Sequence, residues 1–201
     1  MIHGGNTFDT YADYLQFLRE YVIDFERVQG RHLRWQDTLG EKLGEEYEVV
    51  RPAMPSKYNA KYVEWKIWFE KHLSYVHDDV ILVGTSLGGI FLAKYLSENA
   101  FPVRIKATYL VAAPHDAEGL LPRTLTDFVL PESLDLFAHQ SGEVYLIHST
   151  DDPVVKFEDA ERYAIRLPKA HKIIFKDRGH FSQEEFPELV EKIKRATVQD
   201  G

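Results

Sequence analysis

The most constraining feature of this sequence is a glycine-serine-glycine turn between a strand pattern and a helix pattern. The turn, Gly84-Thr85-Ser86-Leu87-Gly88, follows the apolar run at residues 80–83 and precedes the helical pattern at 90–96. A strand, a sharp G-x-S-x-G turn and a helix form an elbow that exposes a nucleophilic serine. Glycine two residues to either side leaves room for so tight a bend. We therefore predict a catalytic Ser86; the alternative is an ordinary glycine-rich turn with a surface serine.

A serine hydroxyl is a poor nucleophile without a base beside it, and candidates for a base and an acid follow later in the chain. Two further strand patterns are each followed by polar loop residues. His180, after the later one, would take the proton from Ser86 and return it to the leaving group. Asp152 or its neighbour Asp151, after the earlier one, would orient the imidazole. Open α/β sheets place their sites at the carboxyl ends of strands, so these residues fit one site.

The choice between the two aspartates depends on the residues that follow them. Asp152 precedes Pro153-Val154-Val155, and this D-x-V-V pattern resembles the acid loop of many α/β-hydrolases. On that resemblance we predict that Asp152 is the acid and that Asp151 is a neighbouring loop residue. The alternative for either aspartate is a capping or turn role, which is common for this residue type.

Negative charge that develops on a carbonyl oxygen requires two backbone N–H donors. Leu87, directly after the nucleophile, would supply one of them. The other would come from the loop His3-Gly4-Gly5-Asn6-Thr7, whose glycines let the backbone approach a substrate closely. The sequence leaves Gly5 and Asn6 as alternative donors. A disordered N-terminus is the alternative interpretation of the whole loop.

Together these segments resemble the α/β-hydrolase superfamily, and within it the small serine hydrolases of the retinoblastoma-binding-protein-nine and YdeN type. The resemblance implies hydrolysis of esters or amides by a serine, an aspartate and a histidine. In two places the chain departs from the family pattern: only two residues precede His3 where the family has a full strand, and residues 21–39 form a longer segment than a minimal hydrolase needs. The matching segments are His3-Gly4-Gly5, Gly84-Thr85-Ser86-Leu87-Gly88-Gly89, Tyr109-Leu110-Val111-Ala112-Ala113-Pro114, Asp152-Pro153-Val154-Val155 and Gly179-His180-Phe181.

Apolar runs alternate with helical patterns along the chain, which predicts a single α/β domain over residues 1–201. The expected architecture is a three-layer α/β/α sandwich with a mainly parallel sheet, the α/β-hydrolase fold, with a minimal cap. Residues 115–140 are apolar without strict periodicity, and we interpret them as a small cap segment; a crossover helix packed on the sheet is the alternative. Strands are predicted at 47–51, 80–83, 105–112, 144–148 and 172–175, and helices at 9–21, 33–43, 59–75, 90–96, 157–167 and 184–196.

Composition narrows the classes of function. A formal net charge of −8 without a basic stripe argues against nucleic-acid binding. No apolar run reaches the length of about 18 residues that a membrane span needs, and no leader pattern is present, so we expect a cytoplasmic protein. With 0 cysteines there is no thiol metal site. His3, His115 and His148 fall at predicted strand ends but lack zinc-ligand spacing, and no nucleotide-binding motif occurs, so we expect no metal and no cofactor.

These observations predict a serine hydrolase that forms an acyl-enzyme on Ser86 with a small-molecule or peptide acyl substrate. The bond cleaved would be an ester, a thioester or an amide. The first alternative is a hydrolase-fold binding module with little or no turnover, because a fold alone does not prove activity. A more remote alternative is acyl transfer to an acceptor other than water. No motif indicates the acyl preference or the oligomeric state.

Overall fold

The centre of the molecule is a sheet of four parallel strands in the order β1-β2-β3-β4. The structure, a computed structural model, describes residues 1–116 and 125–198. Because parallel neighbours require a crossover connection, a helix joins each strand to the next. The strands are β1 (Val80–Thr85), β2 (Ile105–Val111), β3 (Glu143–Ser149) and β4 (His171–Phe175).

The helices begin and end close to the residues that the periodicity predicts. A short 3-10 turn, Leu73–Tyr75, extends the fourth helix. The segment at 21–39 contains one short additional helix. Among the described residues, no helix is both long enough and apolar enough to cross a bilayer. The helices are α1 (Tyr11–Glu20), α2 (Phe25–Val28), α3 (Trp35–Leu43), α4 (Tyr62–His72), α5 (Leu87–Glu98), α6 (Asp135–Gln140), α7 (Phe157–Arg166) and α8 (Pro187–Val198).

Two hydrophobic clusters cover the two faces of the sheet. Because successive strand residues point to opposite faces, Leu82 of β1 joins one cluster and Val83 joins the other. Helices α4, α5, α6 and α7 contribute to the first cluster, and α3 and α8 contribute to the second. This arrangement confirms the predicted three-layer α/β/α sandwich with a parallel sheet. Representative buried side chains are Trp65, Phe91, Phe137 and Tyr163 in the first cluster, and Trp35, Leu39, Leu189 and Ile193 in the second.

The strand predicted at residues 47–51 is wrong: the structure assigns no strand there. These residues run beside the start of the chain, where the Met1 α-amine donates to Val50 O at 2.7 Å. Among the described residues, the start of the chain pairs with β1 through a single parallel bridge, from Ile2 to Gly84. A ladder forms only between strands of several residues, so residues 47–51 lack a neighbour long enough to pair with.

The segment predicted as a cap, residues 115–140, is described only in part, because residues 117–124 lie outside the described residues. At its end, α6 packs on α5, and the fully buried Phe137 joins the core cluster of that face. Leu125 and Phe128 belong to the same cluster. This part of the segment therefore matches the alternative interpretation, a crossover helix packed on the sheet. A cap formed by the rest of the segment stays a prediction.

Candidate active site

Ser86 lies in a strained turn between β1 and α5, with φ 52° and ψ −124°. Positive φ is uncommon for a residue other than glycine, and strain of this kind is concentrated at functional sites. The turn is fixed on both sides, because the Ser86 N–H donates to Val111 O at 2.8 Å and the Gly89 N–H donates to Ser86 O at 2.8 Å. Ser86 itself remains partly exposed. The sharp turn that the G-x-S-x-G pattern predicts is therefore present.

Two glycines of the turn are required by close backbone approach. A Cβ at Gly84 would stand 2.5 Å from Gly88 O, and a Cβ at Gly88 would stand 2.5 Å from Ile2 O. Both distances are far below van der Waals contact with backbone atoms that have no freedom to move aside. Any larger residue would force the strand, the helix and the N-terminal loop apart.

Asp152 and His180 form a direct pair. His180 Nδ1 lies 2.8 Å from Asp152 Oδ2 and 3.1 Å from Asp152 Oδ1. The carboxylate is fully buried and also accepts the N–H groups of Val154 at 2.8 Å and Val155 at 3.0 Å. Since a carboxylate that accepts these bonds pairs with a donor, Nδ1 carries the ring proton and Nε2 is left with its lone pair.

Asp151 has a different position in the same loop. Its Oδ1 accepts from Ser149 Oγ at 2.5 Å and from the Gly179 N–H at 2.9 Å. The Ser149 hydroxyl and the Gly179 N–H hold the pKa of this exposed carboxyl below its usual value. Ser149 Oγ also accepts the Arg178 N–H at 3.1 Å. Asp151 therefore joins the end of β3 to the backbone just before His180 and does not contact the imidazole.

The N-terminal loop lies directly against the nucleophile. A Cβ at Gly4 would stand 3.0 Å from Ser86 Cβ and 3.6 Å from Ser86 Oγ. His3 holds the loop: its Nε2 accepts the Met54 N–H at 2.9 Å, and its Nδ1 lies 2.6 Å from Gly4 O. A carbonyl can only accept, so Nδ1 carries the proton and the ring is a fixed neutral tautomer. Burial, the main cause, lowers the pKa of His3, in agreement with this orienting position.

The structure distinguishes between the two alternative donors of the N-terminal loop. The Asn6 N–H donates to Lys57 O at 2.8 Å and is therefore engaged. Within residues 1–116 and 125–198, the N–H groups of Gly5 and Leu87 make no backbone hydrogen bond. Leu87 is the first residue of α5, where N–H groups lack a partner inside the helix. Of the three predicted donors, Gly5 and Leu87 therefore keep an N–H without a backbone partner among the described residues.

The hydroxyl of Ser86 and the imidazole of His180 are not joined. In the part of the chain that the structure describes, no hydrogen bond connects Ser86 Oγ with either ring nitrogen of His180. Hydrogen bonds of this kind are often long before substrate binds and shorten in the complex. The structure therefore brings together Asp152 with His180, and Ser86 with the glycine loop.

One supporting residue is not apparent from the sequence. Trp35, at the start of α3, donates from Nε1 to Phe181 O at 3.0 Å, and its N–H donates to Gln183 O at 3.0 Å. Both bonds fix the loop that carries His180. From the sequence alone, an aromatic residue at the start of an amphipathic helix is expected to pack in the core. Only the fold shows its hydrogen-bond partner, 146 residues away.

The remaining strand-end histidines have structural contacts. His148 is buried and donates from Nε2 to Val155 O at 3.0 Å, which supports the loop of Asp152; burial, the main cause, lowers its pKa. His115 contacts α7, where its ring lies edge-on to Tyr163 at 5.0 Å. In the described ranges, no group of three or more His, Asp and Glu side chains could hold a metal ion.

Comparisons with known proteins identify the family and the fold. The sequence profile of a family described as Serine hydrolase matches residues 27–194. The serine hydrolase RBBP9 of Rattus norvegicus is 27% identical over 150 residues, which cover 74% of this chain and 77% of the relative. The ydeN gene product of B. subtilis superposes with a TM-score of 0.72 at 18% identity, over 98% of this chain and 96% of the other. An esterase, RhEst1 from Rhodococcus sp. ECU1013, has a TM-score of 0.58 at 14% identity, over 82% and 87% of the two chains.

Proposed function

Because this chain belongs to the serine hydrolase family, as an α/β-hydrolase of the RBBP9 and YdeN type, we propose that it cleaves an ester, thioester or amide through an acyl-enzyme on Ser86. Family membership supports hydrolysis in general. The observation that carries the finer assignment is the contact of Asp152 Oδ2 with His180 Nδ1 at 2.8 Å, because it leaves Nε2 as the proton acceptor that a serine nucleophile needs.

The proposed reaction begins when Ser86 Oγ attacks the carbonyl carbon and its proton moves to His180 Nε2. A C–O bond forms, the carbonyl becomes an oxyanion, and Asp152 stabilises the imidazolium across the Nδ1 bond. The imidazolium then gives its proton to the leaving alcohol, thiol or amine as the scissile bond breaks. Water, deprotonated by the same Nε2, attacks the acyl-enzyme and releases the acid with regeneration of Ser86.

We assign the oxyanion contacts to the N–H groups of Leu87 and Gly5. Both are without a backbone partner in the described residues, whereas the Asn6 N–H is held by Lys57 O. The close approach of Gly4 to Ser86 supports this assignment, because the loop then lies beside the proposed nucleophile. Donors of this type act on charge that exists only in the transition state, so they increase the rate rather than the affinity.

Covalent labelling with a fluorophosphonate tests this proposal, because the probe reacts only with an activated serine. We expect the wild-type protein to be labelled at Ser86 and the Ser86→Ala variant to remain unlabelled. Ser74→Ala is the matched control: Ser74 is exposed, lies in the 3-10 turn after α4, and within the described residues its hydroxyl bonds only to Lys71 O. Its labelling should equal that of the wild type.

Two results would count against the proposal. Equal labelling of Ser86→Ala and wild type would exclude Ser86 as the nucleophile. A folded wild-type protein that reacts with no fluorophosphonate would favour the alternative function, a binding module with the hydrolase fold. Product analysis with added alcohols or amines would separate hydrolysis from acyl transfer, since both use the same residues.

A further inference from the structure

The N-terminal loop, residues 3–7, is held against a second loop by backbone contacts. The Asn6 N–H donates to Lys57 O at 2.8 Å, and the Ala60 N–H donates to Asn6 O at 2.8 Å. A Cβ at Gly5 would stand only 2.7 Å from the same Lys57 O, so the two loops are in close contact. These contacts fix the N-terminal loop on one side and involve no atom of Thr7.

The side chain of Thr7 adds a second attachment, to a residue in the segment after β2. Thr7 is buried, and its Oγ1 lies 2.6 Å from Thr126 Oγ1. Thr126 Oγ1 donates to Asp127 Oδ1 at 2.8 Å, and Asp127 Oδ2 accepts the Tyr62 N–H at 2.9 Å. A hydroxyl has one proton to donate, and that of Thr126 is already used. Thr7 is therefore the donor to Thr126, and the two hydroxyls form a directed chain that ends on the carboxylate.

Thr126 lies in a tight turn where a threonine is an unfavourable choice. The Phe128 N–H donates to Leu125 O at 2.7 Å, which makes Thr126 the second residue of a four-residue turn. Its φ is 43°. Positive φ at this place in a turn is usually supplied by glycine, asparagine or aspartate, and for a β-branched residue it is an outlier. The local backbone therefore does not explain the threonine, whereas a hydroxyl that bridges Thr7 and Asp127 does.

These hydrogen bonds connect three segments of the chain into a closed ring. Tyr62 is the first residue of α4 and follows directly on the loop at residues 57–60. The N-terminal loop is thus joined to residues 57–62, these are joined to the turn at 125–128, and the turn is joined back to Thr7. The last link connects residues 119 positions apart. Without it the N-terminal loop would keep its bonds to residues 57–60 and lose its hydrogen bond to the turn.

We propose that Thr7 and Thr126 are positioning residues, whose hydroxyl pair holds the N-terminal loop so that the Gly5 N–H is aimed at the oxyanion. The inference rests on the proposed function, which assigns that N–H to the oxyanion. A Cβ at Gly5 would stand 3.4 Å from Leu87 Cδ2, so the anchored loop lies beside the residue that supplies the other proposed donor. A donor that is already oriented needs no reorganisation during the reaction, and a displacement of about 1 Å can lower a rate about 100-fold.

The first test compares Thr7→Val, which removes the donor and keeps the shape, with Thr7→Ser, which keeps the donor. We measure kcat and KM for p-nitrophenyl acetate. We expect Thr7→Val to lower kcat about tenfold and to change KM by less than about twofold, because oxyanion donors act on the transition state. Thr7→Ser should keep kcat within about threefold of the wild type, since its hydroxyl still donates. Thr108→Val is the matched control: Thr108 is fully buried in β2 and donates to Ser141 O at 2.9 Å, so its loss should lower the urea midpoint and leave kcat unchanged.

The second test, Thr126→Gly, separates positioning from stability. Glycine adopts positive φ without strain but has no hydroxyl. Because the relief of strain offsets the lost hydrogen bonds, we expect a urea midpoint close to that of the wild type, with kcat lowered as much as in Thr7→Val. A residue with a purely structural role would change the midpoint and kcat in the same direction. The double variant should have the kcat of the less active single variant, because both substitutions remove the same bond.

Fluorophosphonate labelling of Ser86 in the wild type distinguishes failure of this inference from failure of the proposed function. If the wild type is labelled and Thr7→Val keeps kcat within about twofold, the positioning role is refuted and the nucleophile stands. Equal losses of kcat in Thr7→Ser and Thr7→Val, or in Thr108→Val and Thr7→Val, would refute it as well. A wild type that is neither labelled nor active would refute the proposed function and this inference with it. Should Thr7→Val fail to fold, wild-type kcat in Thr126→Gly is the refuting result.

Discussion

Replacing Asp152 by asparagine tests the proposed site sharply, because the shape is kept while the acceptor for His180 is lost. Asp152 Oδ1 accepts the N–H groups of Val154 at 2.8 Å and Val155 at 3.0 Å. An asparagine carbonyl oxygen keeps those two bonds, which turns its NH₂ group toward His180 Nδ1. Two donors cannot pair, so the ring moves its proton to Nε2. That tautomer has no lone pair to receive the proton of Ser86.

The expected loss is large. In a Ser-His-Asp relay the wrong histidine tautomer lowers kcat on the order of 10⁴-fold, or about 5 kcal/mol of transition-state stabilisation. Asp151→Asn is the matched control, with the same change of charge one residue earlier. Asp151 bonds to Ser149 and Gly179 and does not contact the imidazole. Weakening one such bond by about 1 kcal/mol predicts a fall of about fivefold.

The assay is hydrolysis of p-nitrophenyl acetate at neutral pH, with kcat and KM measured for the wild type and both variants. Circular dichroism establishes that each variant is folded. Activity of Asp152→Asn within about tenfold of wild type would refute the assignment of Asp152, because a tautomer change of this kind is not a small effect. A larger loss in Asp151→Asn than in Asp152→Asn would transfer the acid to position 151.

Two further predictions concern Asp159 in α7 and Trp35 in α3. Burial, reinforced by the charge of Asp116, raises the pKa of Asp159 to about 7. Between about pH 4 and pH 7 the folded state therefore keeps a proton on Asp159 that the unfolded state has lost. The free energy of unfolding falls as the pH rises through this range, by up to about 4 kcal/mol. Asp159→Asn should therefore gain stability relative to wild type between pH 5 and pH 8 in urea titrations, and a constant difference would contradict this. Trp35→Phe removes the hydrogen bond to Phe181 O, so we expect kcat to fall more than KM changes. The free energy of unfolding should fall by about 1 to 3 kcal/mol. An unchanged kcat would show that Trp35 contributes only packing.

The sequence specified the sheet well wherever a strand is buried on both faces. The runs that became β1, β2 and β3 are almost continuously apolar, which is the pattern of a covered parallel sheet. Residues 47–51 contain a shorter apolar pair, Val49-Val50, and form no strand. A strand forms only where a neighbouring strand can pair with it, and the neighbouring segment here pairs with β1 only through the bridge at Ile2. Local composition contains no information about the length of that neighbour.

Some contacts of the candidate site could be predicted from the sequence, and others could not. The pairing of Asp152 with His180 follows from loop patterns at the ends of successive strands. The engagement of the Asn6 N–H by Lys57 O does not, because the two residues meet only through the fold. The bond from Trp35 to the loop of His180 is equally long in range. Sequence motifs identify the reactive side chains, whereas the backbone groups that orient these side chains depend on tertiary contacts.

Residue 2 links the carboxyl end of β1 to the loop beside the nucleophile. Ile2 bonds to Val83 and Thr85, and the chain continues directly into the loop of His3, Gly4 and Gly5. The loop is thus attached to the sheet by a ladder of two hydrogen bonds, next to the nucleophile. Because the proposed oxyanion donor, the Gly5 N–H, lies in this loop, we expect its position relative to Ser86 to depend on these two bonds, and the strength of oxyanion binding depends on how well such a donor is preorganised.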